Sequence, residues 1–116
     1  MPYIDIKLSK SCTKEELIHL MKSLAEKITI IGGKKPEEVM TSVQADCIIQ
    51  MGGEVLENGA FVNMSCFGEA PAEDNKAYAL ALFQTLKDLI GVEKDDIYMN
   101  LTERSWWGCH GDVIRL

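Results

Sequence analysis

The second half of this chain lies over the first. With a shift of 58 residues, Tyr3-Ile4-Asp5-Ile6-Lys7-Leu8 falls on Phe61-Val62-Asn63-Met64-Ser65-Cys66, and Glu37-Glu38-Val39 falls on Asp95-Asp96-Ile97. Gly33 meets Gly91, Leu24 and Ile28 meet Leu82 and Leu86, and Thr41 and Val43 meet Met99 and Leu101. At 116 residues the chain has room for one small core. The period is too long for a solenoid and leaves only two copies, approximately 1–58 and 59–116. The expectation is a single domain over 1–116 built as a duplicated unit.

Each copy reads strand, helix, strand. Ile4, Ile6 and Leu8, like Val62, Met64 and Cys66, alternate onto one face, the period-two signature of a half-buried strand. Thr13-Lys14-Glu15-Glu16 has capping-box form, in which Thr13 bonds the amide three residues on and Glu16 reaches back. Leu17, Leu20, Met21, Leu24 and Ile28 follow at helical spacing, and Gly32-Gly33 offers a left-handed stop. In the second copy Glu73 and Asp74 suit a helix start. Ala79, Leu82, Phe83, Leu86 and Ile90 form the stripe, which ends at Gly91. His19, between apolar neighbours in the first helix, is expected in the core or an interface.

A strand–helix–strand unit closes parallel and right-handed. Two of them side by side predict an α/β (α+β) fold with a four-stranded mixed sheet and two helices on one face. The opposite face would carry Tyr3, Asp5, Asn63, Ser65, Tyr98 and Asn100, too mixed to stand plainly open to solvent. Its expected cover is identical subunits in a closed ring.

Composition excludes several classes. Twelve basic against 18 acidic residues give a net charge of −6, which disfavours nucleic acid and anionic membranes as partners. No apolar run exceeds Ala77–Phe83, far short of a membrane span. The start carries no basic-then-apolar leader, so a cytoplasmic protein is expected, with leaderless export invisible to sequence. Cys12, Cys47, Cys66 and Cys109 are scattered without a Cys-x-x-Cys pair. Reduced packing thiols are therefore expected, with no metal and no cofactor. Cys109-His110 beside Asp112 makes neither a metal site nor a nucleophile, because adjacent residues seldom point at one ion.

The most informative single residue is Pro2. Methionine is normally excised before a small second residue, and excision would leave a rigid secondary amine as the first atom of a strand. Model α-amino groups titrate near ~7.7–8.0, so burial or a nearby cation would make that amine a proton acceptor at neutral pH. If Met1 stays, the same nitrogen is an amide and cannot act as a base. By residue type alone, proline at a strand start reads first as a structural choice, since its missing amide proton does no harm there.

Pro2 opening the first strand, the doubled β-α-β, Gly33-Lys34 before Pro36, Ile97-Tyr98-Met99-Asn100 and the terminal Trp107-Gly108-x-x-Gly111 together resemble the tautomerase superfamily. The resemblance is to its macrophage migration inhibitory factor (MIF)-like branch, and it spans nearly the whole chain. It implies a homotrimer with active sites at subunit interfaces. It also implies a keto–enol tautomerase, an isomerase of the phenylpyruvate tautomerase kind, acting on a small aromatic α-keto acid. Carried over, Pro2 is the catalytic base and Lys34 holds the substrate carboxylate, with Lys35 the alternative. Cys66 offers backbone contacts, Phe67 and Trp107 wall the pocket, and Tyr98 and Asn100 arrive from a neighbouring subunit. The enolate donor stays open between a backbone amide, Asn100 and water.

The chain departs from the pattern at its end, where the family commonly reads Trp-Gly-Trp-Asn-Gly and this sequence has Trp107-Gly108-Cys109-His110-Gly111. It also lacks the Cys-x-x-Cys that some members carry, having Glu57-Asn58-Gly59-Ala60 instead, so thiol-oxidoreductase activity is not implied. Two other readings compete. One is a cytokine-like trimer with a vestigial pocket. The other is dehalogenation or decarboxylation of a small acid, for which Arg104 and Arg115 are the only arginines.

Overall fold

The computed structural model describes residues 1–116. The first copy supplies strand β1 (Pro2–Leu8), helix α1 (Lys14–Glu26) and strand β2 (Met40–Gln44). Two short strands, β3 (Gln50–Met51) and β4 (Glu54–Val55), form a hairpin near the end of the first copy. The second copy supplies β5 (Ala60–Phe67), α2 (Ala72–Ile90) and β6 (Ile97–Arg104). A terminal hairpin of β7 (Trp106–Cys109) and β8 (Asp112–Arg115) follows.

The main sheet has the order β2-β1-β5-β6, with β1 and β5 antiparallel at its centre and each outer strand parallel to its inner neighbour. The duplication extends to the register. Partners in the parallel ladders are 37 residues apart in both copies, Tyr3 with Met40 and Ala60 with Ile97. Even the short 3₁₀ turns that feed the outer strands, Pro36–Glu38 and Lys94–Asp96, correspond under the same shift. The fold is the mixed α+β sandwich expected from the sequence.

Both helices cover one face. Ile4, Ile6, Leu8, Val62 and Met64 point up from the central strands into Leu20, Leu24, Leu82, Leu86 and Ile90, all essentially without solvent exposure. Burying each such side chain is worth about 1.5–3 kcal/mol, so this layer drives folding. Tyr78, absent from the expected stripe, is wholly buried at the helix interface, where its hydroxyl donates to the Leu24 carbonyl at 2.8 Å. The stripe rotates accordingly: Ala79 and Phe83 are only half-buried.

The capping box forms as its sequence demands. The Glu16 amide donates to Thr13 Oγ1 at 3.2 Å, and Glu16 Oε1 accepts from the Thr13 amide at 2.9 Å. Gly91 ends α2 in the left-handed region, φ +79°, where its amide closes back on the helix. Two expectations need correction. Helix α1 stops at Glu26 and tightens into a 3₁₀ turn, Lys27–Ile30, well before Gly33. His19 is exposed, because Leu17, Leu20 and Leu24 take the inner side of α1. It is not a core residue of the protomer.

The other face of the sheet is open. Tyr3, Ser42 and Asp5 form a hydrogen-bonded row there: Ser42 Oγ donates to Asp5 Oδ1 at 2.8 Å and, its one proton spent, accepts from the Tyr3 hydroxyl at 2.7 Å. Ser65 and Thr102 pair at 3.3 Å on the same face. No helix is long and apolar enough to cross a membrane.

Candidate active site

β1 is a central strand, and its first residue stands at a sheet corner. Pro2 pairs with Cys66 across the antiparallel ladder, and both are buried. Proline fits this position because the first residue of a strand has no ladder bond to lose. The Phe67 amide donates to the Met1 carbonyl at 3.3 Å, which ties the start of the chain to the end of β5.

A cavity of about 470 Å³ opens beside this corner. Met1, Pro2 and Tyr3 line it from β1, Met40 from β2, and Glu37 and Glu38 from the 3₁₀ turn before β2. The β7–β8 hairpin closes the far side with Trp107, Gly108, Cys109 and His110. Of the residues expected from sequence, Pro2 and Trp107 thus meet in one cavity. Glu37, Glu38, Cys109 and His110 were not expected there. The carboxylates belong to the repeated acidic pair, which reads as a strand opening until the 3₁₀ turn bends it toward Pro2.

The electrostatics of the corner favour an uncharged amine. Partial burial lowers the pKa of the Met1 terminal amine below its ordinary value of 8.0, Lys34 lowers it further, and Glu38 works against them. The Cys66 thiol is pushed up by burial, against the pull of Lys34. Lys34 lies on the loop after Ile31, to whose carbonyl its amide donates at 3.2 Å, and is half-buried, whereas Lys35 is exposed.

Tyr98 and Asn100 stand elsewhere. Through the ladder Tyr98 aligns with Phe61 and Lys7, and Asn100 with Asn63 and Asp5. They are therefore five and three residues along the sheet from Pro2, roughly 17 and 10 Å, and two strands across. Both are exposed, and Tyr98 lines a separate cavity with Met51 and Phe61. Within one protomer they do not meet Pro2. Four free thiols and no cluster of side chains able to hold a metal complete the inventory.

A proline-headed strand opening into a cavity at the corner of a duplicated β-α-β sheet is the arrangement of the tautomerase superfamily. Within it, the sequence model of the macrophage migration inhibitory factor (MIF) family matches residues 1–113, and the chain belongs to that family. The fold is similar to MIF2 of Leishmania major, with TM-score 0.89 at 19% identity over 98% of this chain and 97% of that one. It is also similar to the MIF-like protein of Entamoeba histolytica, with TM-score 0.85 at 21% identity over 97% and 98% of the two chains. Pt0534, solved after inactivation by 2-oxo-3-pentynoate, superposes with TM-score 0.83 at 15% identity over 94% and 93%. No curated protein matches the chain by sequence.

Proposed function

We propose that this protein is a keto–enol tautomerase of the phenylpyruvate tautomerase kind, with Pro2 as its general base once Met1 is removed. The observation that carries the reading is the buried Pro2 at the cavity wall, in a corner where burial and Lys34 both lower the pKa of the neighbouring Met1 terminal amine. A base of this kind abstracts a proton from the carbon α to the ketone, and its pKa must fall toward neutrality to do so.

The substrate is a small aromatic α-keto acid. Lys34 attracts its carboxylate while discouraging protonation of Pro2, so one cation serves both orientation and base strength. Cys66 presents its backbone beside the base, and Phe67 and Trp107 flank the ring. Excision of Met1 deprives the Phe67 amide of its acceptor and leaves a free donor beside the Pro2 nitrogen, suited to the same carboxylate. That Pt0534 is inactivated by a 2-oxo acid supports this substrate class.

The active unit is a homotrimer. Tyr98 and Asn100 lie too far along the sheet to join Pro2 in their own protomer, and a neighbouring copy brings them to the cavity as aromatic wall and polar contact.

Intact mass of the natural protein, paired with a phenylpyruvate assay, tests the reading. Chains lacking Met1 are expected to interconvert ketone and enol, and chains retaining it to be inert. A natural protein that keeps Met1 overturns the enzymatic reading and leaves the cytokine-like ligand as the role for this fold.

A further inference from the structure

The turn of the terminal hairpin is left-handed at two successive residues, His110 with φ +53° and Gly111 with φ +76°. Glycine adopts this backbone freely, while among other residues His, Asn and Asp are the enriched exceptions. The turn sets His110 exposed at the mouth of the Pro2 cavity, one residue beyond Cys109.

Moving a proton from carbon to oxygen needs two groups, a base at the carbon and a donor at the ketone oxygen. Pro2 is suited only to the first. Among the side chains lining the cavity, ionised Glu37 and Glu38 can only accept, and the Tyr3 hydroxyl is spent on Ser42 at 2.7 Å. The donors that remain in the protomer's own lining are the Trp107 indole, the Cys109 thiol and the His110 imidazole. On the reading above, Lys34 and the Phe67 amide serve the carboxylate, and an Asn100 amide from a neighbouring copy cannot give up its proton. A thiol donates weakly, and an indole donates without giving up its proton. Imidazole alone both donates and exchanges its proton near neutral pH.

We propose that His110 is the acid partner of Pro2, donating to the ketone oxygen of the keto acid, an inference that rests on the tautomerase reading. The Pro2 nitrogen takes the proton from the carbon α to the ketone. The electrons of that C–H bond form the carbon–carbon double bond, and the carbonyl π pair moves to oxygen. The imidazolium proton then forms the new O–H bond. Water returns a proton to the imidazole and accepts the one held by Pro2. The titratable and charged groups facing His110 are Glu37 and Glu38 on the turn before β2, the amine heading β1, Cys109 on its own strand and Asp112 across the hairpin.

The test compares Met1-free wild type, Pro2→Gly and His110→Asn on phenylpyruvate over a pH series. Asparagine keeps a left-handed turn accessible, and His110→Gly serves if that variant folds poorly. His110→Asn is expected to lower kcat about a hundredfold with little change in KM. A profile and kcat equal to wild type overturn the role of His110 and leave Pro2 as base. Unchanged turnover in Pro2→Gly overturns both. A second readout needs no turnover, because the chain has only two histidines and His19 lies on the helical layer. Phenylpyruvate added to Pro2→Gly is expected to shift the His110 imidazole resonances and not those of His19, and an unmoved His110 overturns the contact.

Discussion

The Phe67 amide is satisfied by the Met1 carbonyl at 3.3 Å, so the residue that acylates the Pro2 nitrogen also occupies the donor beside it. Removing one methionine changes both at once. We expect a Met1-retaining protein, made by co-expression with an aminopeptidase inhibitor, to bind α-keto acids at least tenfold more weakly than the processed form, as about 1.4 kcal/mol of lost hydrogen bonding implies. Equal affinity by calorimetry would remove the Phe67 amide from the site.

If Pro2 is the base, replacing it should cost chemistry more than stability. Its position at a strand start costs no ladder bond, and its ring makes one edge of the cavity rather than the centre of the core. Pro2→Gly, processed normally, is expected to lose at least a hundredfold in kcat while its melting temperature moves by only a few degrees. Unchanged turnover would assign the base elsewhere.

The sign of the pH dependence follows from the amine. Burial, and then Lys34, lower the pKa of the Met1 terminal amine at this corner below its ordinary 8.0. The same surroundings should hold down the Pro2 amine once Met1 is removed, so activity should rise with pH as that amine loses its proton. Lys34→Ala should move the midpoint of that rise upward and raise KM for the keto acid, and Lys35→Ala should do neither. The native state also holds fewer protons than the unfolded chain between the lowered value and about 8, so this group makes stability increase with pH across that window. A kinetic profile unmoved in Lys34→Ala would separate Lys34 from the base.

Tyr98 and Asn100 test the assembly. Light scattering should give a particle three times the 12.9 kDa protomer. Trimers refolded from a mixture of Pro2→Gly and Tyr98→Ala chains should regain activity that neither parent shows, because some interfaces then pair an intact Pro2 with an intact Tyr98. A monomer in solution, or no complementation, would confine the site to one chain.

Tyr78 is the stability prediction. Its hydroxyl is buried against the Leu24 carbonyl at 2.8 Å, and burial pushes its pKa far up. Tyr78→Phe should cost about 1 kcal/mol and roughly 4 °C in melting temperature. Its raised folded pKa contributes stability below the unfolded value of about 10 that is lost as pH climbs above it. The phenylalanine variant should therefore resist alkaline unfolding relative to its own neutral stability. An identical alkaline transition in both proteins would contradict the linkage.

Architecture was legible because it rests on periodic signals. The alternation of Ile4, Ile6 and Leu8, the Thr13–Glu16 box and Gly91 each act within a few residues, and the 58-residue shift repeats the strand alternation at Val62, Met64 and Cys66. What escaped depends on tertiary bending. The Trp106–Cys109 and Asp112–Arg115 hairpin was read only as a motif-bearing tail, since its residues alternate weakly. Glu37 and Glu38 looked like a strand opening until the 3₁₀ turn aimed them at the cavity. Tyr78 was hidden because a polar hydroxyl argues for the surface until a helix carbonyl is found to receive it. Pro2 stood out for chemical reasons alone, and no local pattern links it to Trp107.

The near-perfect doubling makes one asymmetry decisive. Under the 58-residue shift Ala60 takes the place of Pro2, at the head of the other central strand. An interior nitrogen is acylated on both sides by the continuity of the polymer, so the mirror corner can never become nucleophilic or basic however well its walls are shaped. On the proposed reading, only the Pro2 corner of the two can come to hold a basic nitrogen, and only after Met1 is removed.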